Sequence, residues 1–376
     1  MKSIIFIYLI LIYFVYIISC SLIYMILQDL REKRFNKKVG KLTETFSEEI
    51  YNQLLTISHN KRVSFYAINS VRQKLKFKAY QRVFNNTIIL LNEEPQNHAL
   101  VADYMTLFDD YIKKLIKGRN EGSIKNVYTV FLLGQFKVDQ DYINKYLMES
   151  LKTTSLHLRF NALNSIGQIG NVDCFIEALR YLTETQGYIN EKVFIDILDH
   201  FGGNLEVLNI ELLKCLDDLS IDIQCIIIEH WQNKKNNTVA EELFNKLQGS
   251  DVDKEIETSI IKYFNQINYP PAKEALIQRL DSPYWECRAL VAKALSNYYS
   301  YDTIDKLLIS IMDSNWYVRL NSAMTLLDFD LGNMLIYDVL HKKDKYSRDI
   351  LFYAMFVKNK ITYDEYMEKT NGRRRW

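Results

Sequence analysis

Glycine and proline are scarce: 12 and 4 residues in 376. Together they make about 4% of the chain, a third of the usual share. Tight reversals in all-β sandwiches and barrels draw on these residues, so the scarcity argues against turn-rich β architectures. Cysteine is sparse and odd in number, with five residues at 20, 174, 215, 225 and 287. No pair has C-x-x-C spacing, which leaves neither a disulfide framework nor a zinc knuckle. The glycine-rich signatures G-x-x-x-x-G-K-[ST] and G-x-G-x-x-G are missing, as are H-E-x-x-H and G-x-S-x-G. Nucleotide cradling by a glycine loop, zinc-protease chemistry and the hydrolase nucleophile elbow therefore lack support, and no cofactor is called for.

What the chain does have is 48% hydrophobic and 25% charged residues, a globular balance rich in helix formers. The run Ile4 to Leu27 contains no charged residue. As a helix it measures about 36 Å, more than the roughly 30 Å hydrocarbon core of a bilayer. Ile17-Ile18-Ser19-Cys20 has the look of a lipobox, but Leu22-Ile23-Tyr24-Met25 carries the apolar run past that point. The reading is an uncleaved transmembrane anchor. Lys2 alone precedes it, whereas Arg31, Lys33, Arg34, Lys37, Lys38 and Lys41 follow. Basic residues stay on the cytoplasmic side, so a single-pass protein with its main domain in the cytoplasm is expected. Lone thiols suit that reducing location.

The net charge of +1 hides an asymmetry. Residues 1–41 carry a net +5, and the other 335 hold 40 Lys/Arg against 44 Asp/Glu, a net −4. That is not the basic face of a nucleic-acid binder. One basic stretch stands out: Lys61, Arg62, Arg72, Lys74, Lys76, Lys78 and Arg82, with no acid from Tyr51 to Asn92. It reads either as a solvated helix face or as a surface for anionic lipid headgroups. Arg373-Arg374-Arg375-Trp376 forms a second, shorter basic element.

The second half repeats itself. Asp281-Ser282-Pro283-x-Trp285-x-x-Arg288 and Asp313-Ser314-x-Trp316-x-Val318-Arg319 keep both Trp and Arg 31 residues apart. Each Asp-Ser reads as a helix N-cap. In the unit Ser155 to Glu184, Leu156, Phe160, Leu163 and Ile166 stripe a first helix, and Phe175, Ile176, Leu179 and Leu182 a second. Arg159 stands in the arginine column there, and Arg348 in a final unit starting near Tyr346. Looser units run Tyr188–Asp217, Ile221–Gln248 and Asp251–Leu280, with Lys192 and Cys225 in that column. Helix pairs of 31–33 residues cannot bury their faces alone and must stack.

Over roughly residues 120–361 these units resemble HEAT repeats, of the short bacterial kind related to phycobilin-lyase HEAT-like repeats. A tetratricopeptide period of 34 fits less well, for lack of its small-residue and aromatic signature. The resemblance implies an α-solenoid in which the first-helix arginines Arg159, Arg288 and Arg319 pair with acids between units. It also implies that Trp285 and Trp316 pack between units, the alternative being a grip on a peptide or a flipped base. Residues 42–118 read as helices outside the period: Ile68, Val71, Leu75, Ala79 and Val83 keep helical spacing, and Val101 to Ile116 reads as another helix.

The expected fold is all-α, a solenoid of HEAT-like helix pairs preceded by one transmembrane helix. The expected divisions are an anchor (1–30), a basic helical adaptor (31–118), the solenoid (119–361) and a basic tail (362–376). No catalytic residue is assigned. The six histidines lack ligand spacing within any helix, and only Asp199-His200 with Glu229-His230 offers a metal-like grouping, which adjacent side chains on a helix disfavour. The expected function is a membrane-anchored scaffold for a protein partner, by analogy an accessory of envelope or polysaccharide assembly. The alternative is a HEAT-like DNA-glycosylase-type enzyme, which the acidic balance opposes.

Overall fold

A computed structural model describes residues 2–117, 124–186, 190–249, 252–341 and 344–371. Every regular element among them is helical. The chain forms two compact units, residues 1–175 with 201–204, and residues 176–200 with 205–376. They divide within the helix that holds residues 175 and 176, with 201–204 joining the first unit.

The first unit holds α1 (Lys2–Ser58), α2 (Phe65–Lys74), α3 (Lys78–Leu91), α4 (His98–Thr106), α5 (Asp109–Lys117), α6 (Ile124–Phe136), α7 (Asp141–Leu151), α8 (Leu156–Ile169) and the start of α9 (Val172–Glu184). Without a proline, α1 runs for 57 residues, roughly 85 Å. It ends where Asn60 turns left-handed at φ 56 and the Lys61 N–H reaches back to the Thr56 carbonyl at 3.0 Å. All side chains from Ile12 to Arg34 are exposed. Farther along, Phe46, Ile50 and Leu54 are buried one turn apart, with α1 packed against α3 and α4. Gln53 fixes that seam, accepting from the Tyr104 hydroxyl (3.0 Å) and donating to the Ala67 carbonyl (3.2 Å). One helix is thus bare at its apolar end and core at the other.

Two expected helices are broken. The stripe Val71, Leu75, Ala79, Val83 is buried throughout, but an extended Phe77 (φ −103, ψ 130) separates α2 from α3. The Val101–Ile116 stretch is interrupted at Leu107 and Phe108, between α4 and α5. Burial periodicity survives a short break, which is why spacing alone does not reveal it. At the other end of the unit, Gly170 ends α8 at φ +81, and a Cβ there would overlap the backbone of Gly202 and Gly203. Gly202 in turn donates to the Gly167 carbonyl at 2.8 Å.

The second unit continues with α10 (Glu191–Asp199), α11 (Leu205–Cys215), α12 (Ile221–Asn233), α13 (Ala240–Gln248), α14 (Lys254–Gln266), α15 (Ala272–Gln278), α16 (Trp285–Ala294), α17 (Tyr301–Ser310), α18 (Trp316–Asp328), α19 (Asn333–His341), α20 (Lys345–Val357) and α21 (Tyr363–Asn371). The first helices α10, α12, α14, α16, α18 and α20 pack each against the next. Side chains bond across at one repeat's distance: Asn321 to the Ala289 carbonyl (2.7 Å) and Thr325 to the Ala292 carbonyl (2.7 Å). This is the neighbour-on-neighbour stacking of an α-solenoid. Trp231, Tyr263 and Phe264 fill its core. Within the stretch expected as a tail, 363–371 is helical, and Arg373–Trp376 lie outside the described residues.

Candidate functional site

Counting from the observed N-caps aligns the arginine column. The fourth residue after the cap is Arg159 in α8, Arg288 in α16, Arg319 in α18 and Arg348 in α20. In α10, α12 and α14 it is Phe194, Gln224 and Glu257, not Lys192 or Cys225 in the first two. The caps also differ from expectation. Asn315, not Asp313, caps α18 by accepting from the Tyr317 N–H (2.8 Å), and Tyr284 precedes α16 without a side-chain cap bond.

These arginines tie helix entry to loop. Arg288 Nη1 donates to the Ser282 carbonyl (2.9 Å), and Arg319 Nη1 does the same to the Asp313 and Ser314 carbonyls (2.8 and 3.1 Å). Arg288 then grips Asp313 of the next unit with two parallel bonds, Nε to Oδ2 at 2.7 Å and Nη2 to Oδ1 at 3.0 Å. Partial burial pushes the Asp313 carboxyl up, but this fork and the Asn315 N–H together hold it below its ordinary value. The same fork raises Arg288. Arg159 has no such acid partner among the described residues, and Arg348 only approaches neighbouring Asp349 at 3.8 Å. Where the column carries buried Glu257, Arg279 approaches it from the end of the second helix at 3.6 Å. The ladder is therefore one strong rung with irregular neighbours.

Trp285 and Trp316 sit at the first position of their helices and remain 39% and 42% exposed, so neither fills a core site. They do link units, on the surface. Trp285 stacks on Tyr317 (5.6 Å, 22°), Tyr317 meets Trp316 edge-on (5.1 Å), and Trp316 leans on Tyr353 (6.0 Å). Tyr353, Tyr366 and Phe356 continue the chain onto α20 and α21. Sequence reasoning missed Tyr317, Tyr353 and Tyr366, of which only the first is signalled, by the adjacent pair Trp316-Tyr317. Among the described residues the fully buried tryptophan is Trp231, its indole N–H donating to Asn209 at 2.8 Å.

The basic stretch is divided by the fold. Arg72 donates through Nε and Nη2 to the Leu107 carbonyl (3.2 and 2.7 Å), and Lys74 pairs with Glu49 beneath the Phe46 ring. Both are structural. Lys61, Arg62, Lys76, Lys78 and Arg82 are exposed. Their distance along α1 matters more. Ser58, next to Lys61, lies 31 residues past Leu27, and Glu49, which Lys74 meets, lies 22 past it, roughly 46 and 33 Å on a helix and about 35 and 25 Å even at a 40° tilt. Attraction to headgroups fades within about 8 Å at physiological salt.

Of the metal-like grouping, only half converges. His230 is buried and bonds to Asp199 (2.8 Å), which also receives Lys234 at 3.3 Å. Burial outweighs Asp199 and pushes the His230 imidazolium below its ordinary value. His200 turns away to Asp196, and Glu229 meets Glu191, where burial and then the shared hydrogen bond raise its carboxyl. Among the described residues no group of three His, Cys, Asp or Glu side chains is placed to hold a metal.

No family model matches the sequence, and no curated protein matches it either. Among solved structures, the chain is similar to the complex of CpcE and CpcF of phycocyanin lyase from Nostoc sp. PCC7120, at 12% identity and TM-score 0.27 over 69% of this chain and 94% of that one. It is also similar to an engineered protein, at 14% identity and TM-score 0.24 over 90% and 91% of the two chains. Likenesses of that size decide nothing about activity or partner.

Proposed function

We propose that the chain is a membrane-anchored scaffold that docks a protein partner on the aromatic ridge of its last repeats. The observation that carries this reading is α1, apolar and bare from Ile12 to Leu27 and core at Phe46, Ile50 and Leu54. An anchor continuous with the domain's own core leaves no flexible linker, so it fixes how the domain stands on the membrane as well as where. The six basic residues from Arg31 to Lys41 favour the cytoplasmic side and supply the headgroup contact, in place of the distant stretch 61–82. Exposed Trp and Tyr beside half-buried Arg288 and Arg319 are the composition of interface hot spots. The analogy with envelope and polysaccharide assembly names a class of partner to look for, membrane-bound enzymes of that process.

The test uses a photocrosslinking residue in the full chain in intact membranes. Placed at Tyr317 on the ridge, it should yield one discrete adduct, which is lost when Trp316 is also changed to Ala. Placed at exposed Lys306 on the second helix α17, it should yield none. Equal labelling from both positions contradicts a ridge-specific partner.

A further inference from the structure

Arg288 and Arg319 occupy the same position in successive repeats and bond the same loop carbonyls through Nη1, but their outer edges differ. The Nε–Nη2 edge of Arg288 holds the Asp313 carboxylate. The corresponding edge of Arg319 meets no carboxylate within 4.0 Å among the described residues, and its Nε is buried without a hydrogen-bond partner. The repeat's counterpart of Asp313 is Asp344, 31 residues on. Its Oδ2 instead accepts from the Ser347 N–H at 2.6 Å, capping α20.

A cavity of ≈ 340 Å³ lies beside Arg319, lined by Met312, Asp313, Ser314, Arg319, Asp344 and Tyr346. The Tyr346 ring lies 5.6 Å from the guanidinium carbon and is 65% exposed, so it can swing aside at little cost. Trp316 and Tyr317 of the ridge project from the same first turn of α18. A buried guanidinium N–H left unmatched keeps its desolvation cost, which a two-point carboxylate contact would remove. Of the neighbouring carboxylates, Asp313 is already paired with Arg288, and Asp344, which keeps its charge, is held by the Ser347 N–H as a cap.

We infer that the Nε–Nη2 edge of Arg319 is a receptor for a partner's Asp or Glu carboxylate, on a segment whose adjoining apolar or aromatic residue lies on Trp316. Arg288 with Asp313 is the template for this contact inside the same chain. The inference rests on the scaffold reading and adds the chemistry of the partner to it.

The probe is a fluorescein-labelled peptide of sequence Asp-Ser-Asn-Trp, copying the segment that fills the Arg288 fork. Its binding to the full chain in detergent micelles is followed by fluorescence anisotropy. Arg319→Gln should weaken binding at least tenfold, and Arg319→Lys, which keeps charge without the fork, nearly as much. The peptide with Asn in place of Asp should lose as much against the unaltered protein, a comparison immune to misfolding of a variant. Asp344→Asn should leave binding within twofold. Peptide binding indifferent to Arg319 and to the peptide's Asp overturns the inference. So does a tenfold gain with Asp344→Asn, which would show that Asp344 itself fills the edge. The peptide reads the fork alone, whereas the Tyr317 crosslink reads the natural partner, so failure of either reading is seen separately.

Discussion

Trp231→Ala should destabilise the second unit by about 3–5 kcal/mol, the range for removing a fully buried large aromatic side chain. Trp231 has no exposed surface, and its loss also strands the Asn209 oxygen that accepts from the indole. Trp316→Ala should cost about 1 kcal/mol, the worth of surface aromatic pairing. Stacked repeats do not unfold as one step, so hydrogen exchange along α12 is a better measure than a single melting point. Similar protection losses for the two variants would contradict the division of labour between a core tryptophan and a ridge tryptophan.

Gly202→Ala is expected to be nearly as damaging, at about 3 kcal/mol, the upper end for forcing atoms into a packed interior. A methyl group at Gly202 would overlap the Gln168 carbonyl oxygen, a backbone atom with no rotamer to escape through. The same shift would break the bond from Gly202 to the Gly167 carbonyl. Gly170→Ala adds the roughly 1–2 kcal/mol of left-handed strain that glycine avoids. Amide protection at the end of α8 reports both changes. Unaltered protection in Gly202→Ala would mean that the backbones there stand farther apart than described.

The sequence made the helical class and the 31-residue step legible because both depend on spacing, and stacking preserves spacing. The pairing of Trp285 with Trp316 and of Arg288 with Arg319 carried the register of the best units. Three things were not legible. Exposure of the two tryptophans depends on where each helix begins, and the caps fall at Tyr284 and Asn315, not at the Asp-Ser pairs. The column residues Phe194 and Gln224 were misplaced for the same reason, since their caps Asn190 and Ser220 carry no repeat signature. The remoteness of Lys61–Arg82 from the apolar run required knowing that α1 continues unbroken to Ser58, which charge composition does not say. The Arg319 edge was visible only as half of a supposed pair. Its meaning came from the cap that Asp344 forms instead.

Alkaline carbonate extraction of membranes containing the full chain tests the proposal that α1 anchors this domain in a bilayer. The chain should remain in the pellet with integral proteins, while a variant lacking residues 4–27 should move entirely to the soluble fraction and keep its helical circular dichroism. Release of the full chain by carbonate would contradict the claim and make the apolar stretch a contact surface for another protein.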